Sequence, residues 1–258
     1  MKFYECGTKE KPVLLLIPGT VCHHSMFDHV IPYLENDFLI IKVSFDGFDE
    51  TENTEYPSMR EEVIQIENYI RDHFEGRIAC AYGCSLGGSF VADIAARERI
   101  HMDHAIIGSS DMDTSSAFSA KLKAKIVTPL LWKIVNEGLP SWMAKINEKK
   151  MQKHPESREY REKFTSLFTT DILHGHVTKR SVYNQFYYDL ITPKQEQIDV
   201  RDTVIHVFYA EKMGKQYEER YRKYFKNPDI RRHHYEHEEL LVCHPEEWAE
   251  EVKACCSL

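Results

Sequence analysis

The sequence lacks the long apolar runs and the paired cysteines that mark membrane-spanning and disulfide-framework proteins. The apolar run Val13 to Ile17 is far shorter than the roughly 20 residues that cross a bilayer. No basic stretch followed by an apolar segment opens the chain, so we expect no secretory signal. The seven cysteines are odd in number and scattered, which predicts reduced thiols in a cytoplasmic protein.

An excess of positive charge is also missing. The 258 residues include 33 basic and 41 acidic side chains, which are interspersed and give a net charge of -8. This pattern is typical of a soluble globular protein and lacks the basic footprint of a nucleic-acid-binding protein. We therefore expect no nucleic-acid partner, and the lack of a bilayer-length apolar run predicts no membrane partner. Cys255 and Cys256 have no second cysteine pair, and His174 and His176 are too few ligands, so no metal site is expected.

Apolar segments alternate with helical patterns through the first part of the chain. Val13 to Ile17 and Phe38 to Val43 are continuous apolar runs, which are typical of strands buried on both faces of a parallel sheet. Met26 to Leu34 lies between them with helical spacing. Further strands and helices follow in alternation: a capping box at Ser58 and Glu61 opening a helix, a strand over 78–82, a helix over 86–97 and a strand over 104–108. This order predicts an α/β fold with a doubly wound, mostly parallel sheet.

The alternation stops between about Thr114 and Pro193. This segment is rich in aromatic residues, contains no convincing strand, and predicts helices over 122–135, 142–150, 158–168 and 183–191. Strand patterns return at 203–209 and 229–233, with a helix over 216–225 between them and a last helix from Pro245. We expect a core formed by 1–113 and 194–258, with 114–193 inserted as a helical cap, or lid.

The motif Gly83-Cys84-Ser85-Leu86-Gly87 carries the clearest chemical signal. It follows a predicted strand and opens a predicted helix, which is the context that a G-x-S-x-G nucleophile turn requires. A serine on so sharp a turn needs small residues two positions before and after it, and Gly83 and Gly87 supply them. The turn places the hydroxyl at a helix N-terminus, where N–H groups stabilise negative charge. The motif predicts Ser85 as a nucleophile.

From this motif and its setting, essentially the whole chain resembles the α/β-hydrolase superfamily. The resemblance implies an oxyanion hole formed by the backbone N–H groups of Leu86 and Thr20. Leu16-Ile17-Pro18-Gly19-Thr20 is similar to the family's strand followed by His-Gly-x, with Pro18 where many members have His. The family's general base is a histidine near the C-terminus. Its spacing before Pro245-Glu246-Glu247 matches His237, although Glu236 stands where the family usually has Gly.

The acid of the triad is where the sequence departs from the family pattern. In Ala210-Glu211-Lys212-Met213-Gly214, Met213 occupies the position of the family's aspartate. Glu211 lies in the same loop and is the expected acid. Asp111 or Asp113, after the strand that follows the nucleophile helix, is the alternative, and a Ser–His dyad without an acid also stays open.

The resemblance implies acyl transfer through an acyl-enzyme on Ser85, with His237 as base and the Thr20 and Leu86 N–H groups binding the oxyanion. We expect a carboxylesterase-like serine hydrolase of small carboxylic esters or related acyl compounds, without a metal or organic cofactor. A homodimer is compatible with this expectation. Two alternatives remain: an amide or carbon–carbon bond hydrolase of the same fold, and a catalytically degenerate member that only binds a small molecule.

Overall fold

A seven-stranded sheet forms the centre of the computed structural model, which describes residues 1–257. The strand order is β1-β3-β2-β4-β5-β6-β7, and every neighbouring pair is parallel except β1 with β3. The expected α/β class with a mostly parallel sheet is confirmed. The strands are β1 (Lys2–Gly7), β2 (Val13–Ile17), β3 (Leu39–Ser44), β4 (Arg77–Cys84), β5 (His101–Gly108), β6 (Val204–Ala210) and β7 (Asp229–His233).

Helices cover both faces of the sheet, as a doubly wound fold requires. They are α1 (Met59–Phe74), α2 (Leu86–Arg97), α3 (Ala117–Glu137), α4 (Ser141–Lys153), α5 (Arg158–Ser166), α6 (Lys179–Ile191), α7 (Lys215–Tyr224), α8 (Glu239–Cys243) and α9 (Pro245–Cys255). Buried residues of α1, α2 and α7 share one apolar cluster, whereas those of α8 and α9 share the other. The sheet therefore lies between two hydrophobic layers.

The continuous apolar run of β2 serves both of these layers. Successive side chains of a strand point to opposite faces, so Leu15 and Ile17 join the cluster on the α1 and α2 side. Leu14 and Leu16 join the cluster that contains Trp248 of α9. All four leucine and isoleucine side chains are fully buried. This double burial explains why β2 shows no alternation of polar and apolar residues.

The segment 114–193, here called the cap, contains α3 to α6 and stands between β5 and β6. Helix α3 packs along α6, and the Trp132 indole N–H donates to the Val177 carbonyl at 2.9 Å. Helix α6 also binds the core, because the Ser181 hydroxyl accepts the Tyr56 N–H at 3.2 Å. Across residues 1–257, every helix is too short or too polar to cross a bilayer.

Two local features differ from the sequence expectation. The edge strand β1 was not expected, and it pairs antiparallel with β3. The helix predicted from the spacing of Met26 to Leu34 is wrong, because that segment forms two short 3-10 turns, His24–Phe27 and Ile31–Tyr33. Pro32 lies within the second turn and lacks the N–H that a continuing helix would need.

The capping box of α1 is confirmed, since the Ser58 hydroxyl accepts the Glu61 N–H at 3.2 Å.

Glu62 is a fully buried carboxyl group on α1. Burial, assisted by the negative charge of Asp46, holds the pKa of Glu62 well above its usual range. A group whose pKa rises on folding stabilises the folded state only below its unfolded pKa, and this contribution is lost as the pH rises. Glu62 therefore makes the protein less stable at neutral pH than in mild acid.

We expect Glu62→Gln to raise the free energy of unfolding near pH 7 by about 1 kcal/mol or more, because the amide has no proton to lose. Near pH 4 the variant and the wild type should be almost equally stable. Urea unfolding at the two pH values measures both differences. A variant that is no more stable than the wild type near pH 7 would contradict this account of Glu62.

Candidate active site

Ser85 lies on the sharp turn between β4 and α2. Its backbone has φ 50° and ψ -110°, a conformation that non-glycine residues seldom adopt and that typically costs about 1–3 kcal/mol. A Cβ atom on Gly83 would lie 2.0 Å from the Gly87 carbonyl oxygen, and one on Gly87 would lie 2.2 Å from the Ile17 oxygen. Both glycines are therefore required by contact, and the turn packs directly against the end of β2.

The structure brings Ser85 and His237 together, although they are 152 positions apart in the sequence. The Ser85 Oγ and the His237 Nε2 are 3.1 Å apart, which is hydrogen-bonding distance. The His237 Nδ1 faces the Met213 Sδ at 3.5 Å. Because a thioether accepts a hydrogen bond weakly and cannot donate one, this contact favours a proton on Nδ1. The Nε2 is then free to accept the Ser85 proton.

The expected acid, Glu211, is not beside His237. Its carboxylate contacts the Nδ1 of His234 at 3.3 Å, at the surface. The reason lies in the 3-10 turn Glu211–Met213 after β6, which directs Glu211 outward and presents Met213 to the imidazole. The sequence-based pairing of Glu211 with His237 is thus absent from the structure.

The alternative acids are engaged elsewhere as well. Asp113 lies 3.4 Å from the Arg220 guanidinium, and the Asp111 carboxylate accepts the Asp113 N–H at 3.1 Å. Within residues 1–257, no carboxylate forms a hydrogen bond or ion pair with the His237 side chain. The arrangement is a Ser–His dyad with a methionine at the third position.

A different carboxylate, which the sequence analysis missed, lies under the nucleophile turn. Glu238 is only 3% exposed; its Oε1 accepts the Ser85 backbone N–H at 2.9 Å and its Oε2 accepts the Tyr82 hydroxyl at 2.9 Å. Burial, with the Glu238 charge as a further cause, raises the pKa of the Tyr82 hydroxyl and of the Cys84 thiol well above their usual values. No sequence signal separates Glu238 from the neighbouring glutamates 236 and 239.

The backbone N–H groups expected to bind an oxyanion are those of Thr20 and Leu86. Thr20 follows the end of β2, Leu86 opens α2, and in residues 1–257 neither N–H donates to another backbone group. The next N–H along, that of Val21, donates to the Oε1 of Gln185 on α6 at 2.7 Å. Gln185 is fully buried, so a cap side chain fixes the loop that carries Thr20.

A cavity of about 70 Å³ lies over the Ser85 hydroxyl. The core contributes Gly19, Thr20, Cys22, Cys84, Ser85, His237 and Glu238, and the cap contributes Phe164, Leu167 and Phe168. The Phe164 ring stands edge-on to the His237 ring with centroids 5.9 Å apart. Leu167 also borders a more open neighbouring cavity of about 400 Å³, which includes His23 and His29. The space beside the nucleophile is small and largely apolar on the cap side.

Comparison with known proteins identifies the fold. No family model matches the chain, and no curated protein matches its sequence. Solved structures do resemble it. A protein assigned to the α/β-hydrolase family from Desulfitobacterium hafniense has a TM-score of 0.73 at 19% identity, covering 98% of this chain and 99% of that one. An enol-lactonase from Burkholderia xenovorans LB400 has a TM-score of 0.70 at 13% identity, covering 100% and 96%.

A lipase-esterase related protein from Clostridium acetobutylicum ATCC 824 has a TM-score of 0.66 at 19% identity, covering 98% of both chains. These likenesses extend over the sheet and the cap together. They show that this chain has the α/β-hydrolase fold, as its sequence motifs implied. At such low sequence identities, these likenesses establish the fold of this chain but no particular activity.

The nucleophile turn should tolerate no side chain at Gly83. We expect Gly83→Ala to lower the free energy of unfolding by about 3 kcal/mol or more, because its Cβ overlaps the Gly87 backbone. Gly76→Ala is the matched control: Gly76 has φ 74° but open space around its Cβ, so about 1 kcal/mol of strain is expected. Urea unfolding compares the two, and equal losses would contradict the steric argument.

Proposed function

We propose that this protein is a serine hydrolase that cleaves small carboxylic esters or related acyl compounds. The observation that carries the proposal is the 3.1 Å contact between the Ser85 hydroxyl and the His237 Nε2, made on a strained strand-to-helix turn. Strain at a nucleophile is seldom kept without a chemical use. The names of two structural neighbours, an enol-lactonase and a lipase-esterase related protein, are in keeping with acyl chemistry.

The reaction proceeds through an acyl-enzyme. His237 Nε2 removes the proton of the Ser85 hydroxyl as its oxygen attacks the substrate carbonyl carbon. The carbonyl oxygen becomes an oxyanion, which the N–H groups of Thr20 and Leu86 bind. The protonated His237 then donates its proton to the leaving alcohol. Water, deprotonated by His237, attacks the acyl carbon. The bond from that carbon to the Ser85 oxygen then breaks, His237 returns the proton to Ser85, and the acid is released.

Met213 changes the energetics of this reaction. A triad aspartate holds the imidazole in its reactive tautomer and stabilises the imidazolium that forms during attack, and loss of both functions typically costs about 10⁴ in kcat. A thioether can hold the imidazole in its reactive tautomer but offers little to its positive charge. Glu238 acts as a positioning residue, because its carboxylate holds the Ser85 backbone rather than the His237 ring. We therefore expect slow turnover with a correctly formed nucleophile.

The substrate inferred from the cavity is small. A space of about 70 Å³ beside Ser85 accommodates a short acyl group, and Phe164, Leu167 and Phe168 offer it an apolar wall. The same space would suit an acyl group joined to an amine or to carbon, so an amide or carbon–carbon bond hydrolase uses the same site. The leaving group would extend toward the larger cavity beyond Leu167.

A second candidate function follows from the same Met213 contact. Without a carboxylate at the His237 Nδ1, the pocket could retain ligand binding and lose turnover, as in a degenerate, small-molecule-binding member of the fold. The retained Ser85–His237 contact favours the enzyme. The two functions differ in whether Ser85 forms a covalent adduct.

We expect the wild type to hydrolyse p-nitrophenyl acetate and to become labelled at Ser85 by a fluorophosphonate. Ser85→Ala should lose the label and lower kcat/KM by about 10⁴-fold or more, because no nucleophile remains. Ser89→Ala, a buried serine one helical turn further along α2, is the control and should keep both properties. A wild type that neither labels nor turns over would favour the binding function.

Replacing Met213 tests the missing acid directly. We expect Met213→Asp to raise kcat by about tenfold or more, since a carboxylate would then face the His237 Nδ1. Met213→Asn is the matched control, because it offers an acceptor of similar size without the charge and should gain much less. Steady-state kinetics on the same ester gives both values.

Glu211→Gln should change kcat by less than about threefold, because the Glu211 carboxylate contacts the surface residue His234 and not His237. A loss of several orders of magnitude in this variant would reassign the acid to Glu211. It would also show that the 3-10 turn rearranges when substrate binds.

A further inference from the structure

Most of the exposed large hydrophobic side chains in residues 1–257 lie on the cap. Eight large hydrophobic side chains are exposed in residues 1–257, and five of them lie on α3 and α4: Phe118, Leu122, Ile126, Trp142 and Ile146. These five residues are here called the cap patch. Phe118 is 82% exposed, Ile126 is 69% exposed and Trp142 is 55% exposed. Exposed apolar side chains of this size mark an interaction surface where they follow one side of a helix, as Phe118, Leu122 and Ile126 do on α3.

The patch does not arise from the internal packing of α3. Phe118, Leu122 and Ile126 are spaced four residues apart and so follow one side of the helix. The buried residues Ala120 and Ala124 lie on the side that packs inward. Helix α3 is therefore apolar on two sides, of which only one is covered. Trp142 and Ile146 repeat the four-residue spacing on α4.

Positive charge surrounds the cap patch. Residues 117–153 contain eight lysines and two glutamates, a net charge of +6. The remaining residues hold 25 basic and 39 acidic side chains, a net charge of -14. In residues 1–257, six of the eight lysines have no carboxylate within 4.0 Å: Lys121, Lys125, Lys145, Lys149, Lys150 and Lys153. The basic residues of this surface are thus available to an anionic partner.

We propose that the cap patch and its flanking lysines dock onto the surface of an anionic lipid membrane. Aromatic and aliphatic side chains bordered by lysines are the composition of helices that lie in a bilayer interface. The apolar side chains enter the boundary between headgroups and acyl chains, and the lysines contact the phosphates and carboxylates above it. The contact is peripheral, because the helices of residues 1–257 are not suited to cross the bilayer.

The charge distribution favours lipid over a second copy of this chain. A symmetric dimer through the cap patch would place one +6 surface against another, and like charges across an interface cost free energy. The two most exposed residues, Phe118 and Ile126, line none of the cavities found in residues 1–257, which suits insertion into a fluid layer. The acidic remainder of the molecule would face away from the membrane.

Vesicle co-sedimentation tests the proposal. Vesicles of phosphatidylcholine with ~30% phosphatidylserine should bind the full-length protein, and vesicles of phosphatidylcholine alone should bind it far more weakly. Raising the salt from about 50 mM to about 500 mM should weaken the binding, because the lysine contribution is screened. Lys121→Gln combined with Lys125→Gln should lower the partition coefficient by about tenfold or more. The exposed pair Lys9→Gln and Lys11→Gln controls for net charge and should change it much less.

The apolar contribution is tested in the same assay. Phe118→Ser combined with Ile126→Ser should lower the partition coefficient by about tenfold or more, whereas Tyr33→Ser with Val204→Ser, two exposed apolar residues outside the cap, should not. Absence of binding to the anionic vesicles at low salt would overturn the proposal. So would binding that the cap variants leave unchanged, or a dimer that the Phe118 and Ile126 variants dissociate in the absence of lipid binding.

Discussion

The close approach of backbone segments around Ser85 is the constraint on which the site depends. The end of β4, the start of α2 and the end of β2 meet where only glycine fits, at Gly83 and Gly87. This contact holds Ser85 in its strained conformation and places the start of α2 against the end of β2. The Glu238 carboxylate adds a buried hydrogen bond to the same backbone, so the turn is held from both sides of the sheet. Rigid support of this kind is what a preorganised nucleophile requires.

The His237 side of the site is built differently. Ser85 and His237, the proposed nucleophile and base, are in contact, but the residue behind the His237 ring is the thioether Met213. The Ser85–His237 contact has the geometry expected of a serine hydrolase, but Met213 does not supply the negative charge that a triad acid would place beside His237. The buried carboxylate of Glu238 accepts the Ser85 backbone N–H and does not contact the His237 ring. It therefore supports the turn and does not give His237 the charge stabilisation that a triad aspartate provides.

The sequence predicted those parts of the molecule that short-range patterns determine. Three such patterns depend on neighbours within a few residues and are found in the structure: the apolar run of β2, the glycine spacing around Ser85 and the capping box of α1. The contacts of Glu211 depend on how the three-residue turn Glu211–Met213 directs its side chains. The contact of Glu238 with Ser85 joins residues 153 positions apart. No periodicity encodes such contacts. The 3-10 turns before β3 show the same limit, because helical spacing alone does not reveal that Pro32 interrupts the backbone pairing.

The total charge of -8 also concealed a division within the chain. The cap is basic and its outer side is apolar, whereas the rest of the molecule is strongly acidic. The net charge sums over all surfaces of the folded chain. The difference in charge between the cap and the rest of the molecule is therefore visible only when each charged residue is located in the structure. The expectation of no membrane partner, which rests on the lack of a long apolar run, does not take this division into account.

The hydrogen bond between Gln185 and the Val21 N–H joins the cap to the loop that carries Thr20. A buried donor left unpaired costs about 1–3 kcal/mol, so α6 cannot lift away from the oxyanion loop without that expense. Cap position and the arrangement of Thr20 are therefore thermodynamically linked, and by reciprocity whatever stabilises one stabilises the other. A ligand or surface that binds the outside of the cap would thereby act on Thr20, the proposed oxyanion donor, without touching it.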